Sequence, residues 1–187
     1  MATRRRAGPE RRPPAPARRR ALLAGLALLV AFGGLTARLL VWPAQGGPAR
    51  ASAIVMLAGP GNRLPLALAL ARRHVAPVLA ISQGFQGYGS PCPPAVPGVK
   101  LICFEPDPAS TRGEAEFAAR LAEQYHWTSV LLVATRSQDT RARIVLGRCF
   151  PGSIYVATAA FPARDWPYEL TYGWGALLKA LVVHRSC

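Results

Sequence analysis

Apolar positions along this chain fall into two regimes. Residues 21–42, ALLAGLALLVAFGGLTARLLVW, form one apolar run whose single charge, Arg38, stands near its far end. Beyond residue 51 the apolar positions come in short blocks instead. The runs 52–58 (SAIVMLA), 78–82 (VLAIS), 99–104 (VKLICF), 129–135 (SVLLVAT) and 153–157 (SIYVA) have the length of strands. Their continuity fits parallel strands buried on both faces.

Between these runs the spacing turns helical. Residues 62–74, NRLPLALALARRH, combine a polar start, an early proline and basic residues in the last turn, the marks of a capped helix. Thr111 and Glu114 stand at the T-x-x-E spacing of a capping box and open a helix expected to reach about residue 125. Further helices are expected over 137–150 and 166–184, the last weakened by Gly173 and Gly175. Residues 83–98, with Gly84, Gly87 and Gly89 ahead of a proline-rich stretch, read as loop. Strands alternating with helices in this order imply βαβ crossovers, and so a Rossmann-like three-layer α/β/α sandwich with a mainly parallel sheet.

The long run changes what surrounds that domain. Its 22 residues extend about 33 Å as a helix, enough for a bilayer core of about 30 Å. Residues 1–20 carry eight arginines against Glu10, while the part from Arg50 onward is only mildly basic, so half of the formal charge of +14 sits in the tail. Arginines flanking an apolar run act as a topology signal, which places the N-terminus in the cytoplasm and the domain outside it. No nucleic-acid partner is expected, because the basic cluster serves the membrane. The expected organisation is a disordered basic tail (1–20), a transmembrane helix (21–42) in the plasma membrane, a linker (43–51) and an extracytoplasmic domain (52–187). A cleaved signal peptide is the rival reading, with small residues near Ala44 and over 49–51; the apolar run exceeds the usual 7 to 15 residues of such a peptide, which favours the anchor.

Four cysteines occur, Cys92, Cys103, Cys149 and Cys187, with no C-x-x-C pair. Outside the cytoplasm disulfides persist. Of the three possible pairings, Cys92 with Cys103 would pin the long loop to the third strand, and Cys149 with Cys187 would fasten the C-terminus; free buried thiols are the alternative. His74, His126 and His184 stand near helix ends with no ligand cluster beside them, so no metal site is expected. The phosphate-loop, dinucleotide and nucleophile-elbow signatures are absent.

In an open parallel sheet ligands bind outside the carboxyl ends of the strands. The loops expected there carry Gly59, Gly61, Arg63, Ser82, Gly84, Glu105, Thr111, Arg112, Glu114, Thr135, Arg136, Gln138 and Arg141. Helix N-termini, hydroxyls and guanidinium groups in one place suit an anionic small molecule. Glu105, a carboxylate at a strand end, is the candidate for acid-base chemistry. Thr111 and Glu114 have a plainer reading as helix caps, and Arg141 and Arg143 as solvated residues or partners of Glu105 and Asp107.

The order AIVMLAGPGNRL, ISQG, CFEPDPASTRGEA, VLLVATRSQDTRAR resembles the YdcF-like family, domain of unknown function 218, over residues 52–157; the paired cysteines look like those of its actinobacterial members. The resemblance implies a Rossmann-like fold, a membrane anchor, and a role in cell-envelope or peptidoglycan-precursor metabolism, with an anionic or lipid-linked ligand. One member is reported to bind S-adenosylmethionine, but the residues of this chain name no cofactor. Family members usually carry a histidine where Gln138 stands, and Gln83 replaces a glycine of the usual turn. Glutamine cannot exchange a proton near neutral pH. Two readings follow: an envelope domain that processes an anionic precursor, or a catalytically silent binding or scaffold module. A cytoplasm-facing nucleotide-binding domain is the third.

Overall fold

The computed structural model describes residues 15–44, 46–47, 50–84, 91–183 and 185–187. Gly87, Gly89, His184 and the first fourteen residues of the expected tail lie outside them. One sheet carries the fold: β1 (Ala53–Met56), β2 (Val78–Ser82), β3 (Lys100–Phe104), β4 (Ser129–Thr135) and β5 (Ser153–Ala159). Their order is β3-β2-β1-β4-β5 and every neighbouring pair is parallel, with Ile54 level with Leu79 on one side and Leu131 on the other.

The continuous apolar runs are sorted by the pleat. Ile54, Met56, Leu79, Ile81, Leu131 and Val133 face one way and pack with Ala67 and Ala71 of α2 (Arg63–Arg72). Ala53, Val55, Ala80, Val130, Leu132 and Ala134 face the other way, toward α3 (Thr111–Gln124), α4 (Arg136–Leu146) and α5 (Trp166–Val182). Both faces are covered, as a parallel sheet requires. The result is the expected three-layer α/β/α fold. Both disulfides, Cys92–Cys103 and Cys149–Cys187, are the expected pairs. His74 and His126 hold left-handed backbone where α2 and α3 end, φ 52° and 53°.

One helix, within Ala17–Val41, is 25 residues long with mean hydropathy 1.9, and its leucines up to Leu35 stay exposed. Length, composition and an apolar surface on every side support a single-pass anchor. The helix α1 (Ala15–Thr36) begins six residues before the apolar run, so 15–20 are helical rather than irregular; alanine and arginine are good helix formers once the apolar segment has nucleated. Residues 36–44 also depart from expectation. A compact unit runs from Thr36 to Cys187, well before the expected start at residue 52. Within it a π turn, Ala37–Val41, packs on α4, and its Leu40 reaches α5. Leu40 is buried against Gly173, where a Cβ would come within 3.3 Å of Leu40 Cδ1. The glycine that weakens the expectation of a C-terminal helix is the one that admits this leucine. Thr140 Oγ1 donates to Leu39 O (2.5 Å) and Arg143 Nη2 to Ala44 O (3.1 Å).

Candidate functional site

Strand order reverses at β1, since β2 lies on one side of it and β4 on the other. The helices that follow β1 and β4 leave to opposite faces of the sheet, and the crevice between the carboxyl ends of β1 and β4 is where doubly wound folds hold ligands. A cavity of about 650 Å³ lies there. The β1–α2 turn contributes Ala58, Gly59 and Arg63; the start of α3 contributes Ser110, Thr111, Arg112 and Glu114; the β4–α4 junction contributes Thr135, Ser137, Gln138 and Arg141. Helix α5 forms the far wall with Tyr168, Glu169, Tyr172, Gly173, Ala176 and Lys179.

Arg63 is buried and its guanidinium is committed to the protein. Nε donates to Pro60 O (2.8 Å), Nη1 to Leu57 O (3.1 Å) and Ala58 O (2.5 Å), and Nη2 to Thr135 Oγ1 (3.4 Å). These bonds satisfy the carbonyls where β1 ends and no ladder continues. Gly59, at φ 133°, makes this possible, because a Cβ there would stand 2.6 Å from Arg63 Nη2. Arg63 therefore lends the cavity its charge rather than a free fork.

A second line of hydrogen bonds runs from Arg63 to α5. Ser137 Oγ donates to Glu169 Oε2 (2.5 Å), so the 3.1 Å contact between Thr135 Oγ1 and Ser137 Oγ has threonine as donor. Thr135 in turn accepts from Arg63. Every proton in this row points toward Glu169. Ser137 and Glu169 are the residues sequence reasoning missed: Ser137 lay between two singled-out neighbours, while nothing local to Glu169 marks it. It sits more than 30 positions beyond β4 and is brought in by the packing of α5.

The expected capping box does not form. Ser110 caps α3, accepting from Gly113 N at 3.4 Å, and leaves Thr111 to accept from Gln138 Nε2 at 3.3 Å. Glu114, only 2% exposed, turns instead into the cavity floor and accepts from Ala58 N at 2.5 Å. Its distance from the cap nitrogen is decided by the nearness of the β1 end, which no local spacing encodes.

Two polar groups at the cavity have no protein partner among the described residues, Gln138 Oε1 and Arg141 Nε, both buried. Gln138 is 6% exposed. The Arg141 guanidinium lies over the Tyr172 ring at 5.4 Å. Neither Arg141 nor Arg143 pairs with Glu105 or Asp107: Arg143 Nε binds Asp139 Oδ1 at 2.6 Å along its own helix.

Of the residues expected at this edge, Gly59, Arg63, Thr111, Arg112, Glu114, Thr135, Gln138 and Arg141 line the cavity. Ser82 is buried beneath it; its hydroxyl lies close enough to favour charge on Glu114 yet completes no hydrogen bond of good geometry. Gly61, Gly84, Glu105 and Arg136 do not line it. Glu105 is exposed at the end of β3, and β3 is the edge strand, two positions from β1, so its carboxyl end misses the crevice. The acidic groups facing the cavity are Glu114 and Glu169. In dinucleotide folds a carboxylate about 20 residues past the glycine turn holds the ribose; here Ser82 and Gln83 stand at that distance.

Burial pushes the Glu114 carboxyl above its ordinary 4.5; the Ala58 N–H, the Ser82 hydroxyl, Arg63 and Arg141 pull it partly back. Burial likewise raises Asp139 above 3.8, against Arg143 and more distantly Arg38. Burial lowers Arg63 to about 10, so it stays cationic at neutral pH. The sign for stability follows. As pH rises past 4.5 the unfolded chain releases the Glu114 proton before the folded one does, so stability falls from there up to the folded value. Arg63 adds no slope in that window. Thermal unfolding of Glu114→Gln is therefore expected to depend less steeply on pH above 4.5 than that of the native chain, with Asp139 leaving a residual slope of the same sign. Equal slopes would contradict the buried, proton-holding carboxyl.

Comparison with protein-family models, with curated proteins and with solved structures finds no match for this chain.

Proposed function

We propose that this chain is a membrane-anchored, YdcF-like envelope protein whose cavity binds the anionic group of a cell-envelope precursor, a peptidoglycan intermediate or lipid-linked sugar. The observation that carries the reading is Arg141 Nε, buried at the cavity without a protein partner among the described residues, beside the equally unpartnered Gln138 Oε1. A buried cationic donor left unpaired is costly, and an anion offsets that cost. The N-terminus of α4 adds its backbone N–H groups, since Thr135 at the cap spends its hydroxyl on Ser137. The tyrosines of α5 offer an apolar wall to the rest of the ligand.

The family assignment rests on the order and spacing of four motifs. The topology rests on eight arginines ahead of the apolar helix and on two disulfides, which persist in oxidising compartments. Both support a cytoplasmic N-terminus and an extracytoplasmic domain, against a cytoplasm-facing nucleotide-binding domain.

Calorimetry on the full chain in detergent, with a polyprenyl phosphate, a sugar nucleotide and inorganic phosphate as probes, tests this reading. At least one probe is expected to bind, and Arg141→Ala to weaken it about tenfold or more, as a charge-assisted hydrogen bond is worth about 1.5–3 kcal/mol. Absence of binding by every probe, or an unchanged affinity in Arg141→Ala, would sink it.

A second reading, processing of the ligand, is favoured by one observation: the Ser137 hydroxyl is hydrogen-bonded to the Glu169 carboxylate at 2.5 Å, the relation a proton transfer needs. Gln138, where the family carries histidine, weighs toward binding alone. Turnover that appears only in Gln138→His would support the binding reading of the native chain.

A further inference from the structure

We propose that the outer face of α5 is a bilayer-docking surface that lies in the headgroup region and holds the cavity beside it. Helix α5 buries one side and leaves mostly apolar side chains on the other, with Thr171 and Lys179 among them. Glu169, Gly173, Leu177 and Ala180 face the domain. On its outer side and its last turn, Tyr168, Tyr172, Leu178, Leu181, Val182 and Val183 are 44% to 65% exposed. A helix lying against water would carry polar residues there, and a contiguous exposed apolar patch marks an interaction surface.

The occupant is identified by what is packed beside it. Residues 36–41, the last of the candidate span Ala17–Val41, belong to the same compact unit as α5. Trp174 Nε1 donates to Thr36 Oγ1 at 3.1 Å, and Leu40 seats on Gly173. The chain therefore enters the domain about one helix diameter from α5, and Trp42, 66% exposed, follows at once. Stacked Tyr168 and Tyr172, with ring centroids 5.8 Å apart, have the amphipathic character of interfacial aromatics. Lys179 and Arg185, both exposed, match anionic headgroups. Continuity with the span, aromatic chemistry and basic charge together select a lipid surface. Tyr168, Tyr172 and Lys179 of this face also line the cavity, so docking brings its α5 wall to the lipid headgroups. This orientation does not depend on which ligand the cavity takes.

All four cysteines are bonded, so Leu178→Cys introduces a single free thiol for a nitroxide label. The full chain is reconstituted in vesicles of mixed zwitterionic and anionic phospholipid. Relaxation by oxygen is expected to exceed relaxation by an aqueous nickel chelate several-fold at position 178. The reverse is expected for a label at Ala69→Cys, on the exposed side of α2 across the sheet. Should Leu178→Cys fail to fold, Val182→Cys reports on the same face. Equal access of the nickel chelate to both positions overturns the proposal. Dipolar broadening between labelled chains would assign the face to a second copy and overturn it as well.

Discussion

Replacing Cys149 and Cys187 together by serine is expected to lower the stability of the full chain by about 4 kcal/mol, the chain-entropy value for a bond closing 38 residues. For a chain of this size that amounts to a fall in melting temperature of about 10 °C. The consequence reaches the site, because this bond ties the end of α5 to the end of α4, and α5 brings Glu169, Tyr172 and Lys179 to the cavity. Ligand affinity should drop with stability. Cys92 and Cys103 form the control: their bond closes only 11 residues, at the loop before β3, so its loss is expected to cost about 3 kcal/mol and leave affinity unchanged. Thermal unfolding in detergent, followed by calorimetry on the folded fraction, reads both. A loss under about 1 kcal/mol for the 149–187 pair would show that tertiary packing alone holds α5. Chain extracted from cells with thiols blocked should carry both bonds; free thiols there would contradict the proposed extracytoplasmic placement.

Arg63→Met is expected to cost about 3–5 kcal/mol, the range for breaking a buried charge from its partners. Three backbone carbonyls, those of Leu57, Ala58 and Pro60, lose their donor in one change, and Glu114 loses a compensating charge. Arg63→Lys is expected to recover only part of this, since an ammonium cannot span donors laid out for a planar guanidinium. The pair should be strongly non-additive: with Glu114 already replaced by glutamine, removing Arg63 no longer strands a carboxylate, so the double variant should lose less than the two single losses together. Denaturant unfolding of the four proteins of this cycle measures the coupling. Additive losses would mean that Arg63 serves the turn alone and that Glu114 does not feel its charge.

Both predictions concern the same architecture, in which the cavity is built of groups drawn from four segments of the chain. A charged group committed to backbone carbonyls, Arg63, sets the field, and a less constrained one, Arg141, keeps a donor available. That division of labour could not be read from the residue type, because arginine at a strand-to-helix turn looks the same in either role.

What the chain alone determined was whatever rests on near neighbours. Continuous apolar runs placed β2 and β4 to the residue, because burial on both faces leaves a strand polar positions only at its ends. The candidate span followed from one apolar stretch, charged only at Arg38, that is long enough to cross a bilayer. Helices alternating with strands implied the three layers, and the glycine turn, Thr135, Gln138 and Arg141 fell at strand ends where crevices form. Tertiary structure decided the rest, and for one reason: which strand ends meet depends on sheet order, which local pattern does not carry. Order put Glu105 just past the end of the edge strand and out of the site, and set Glu114 against the end of β1 instead of at its cap. Packing of α5 across α4 brought in Glu169, and the gap at Gly173 drew residues 36–44 onto the domain.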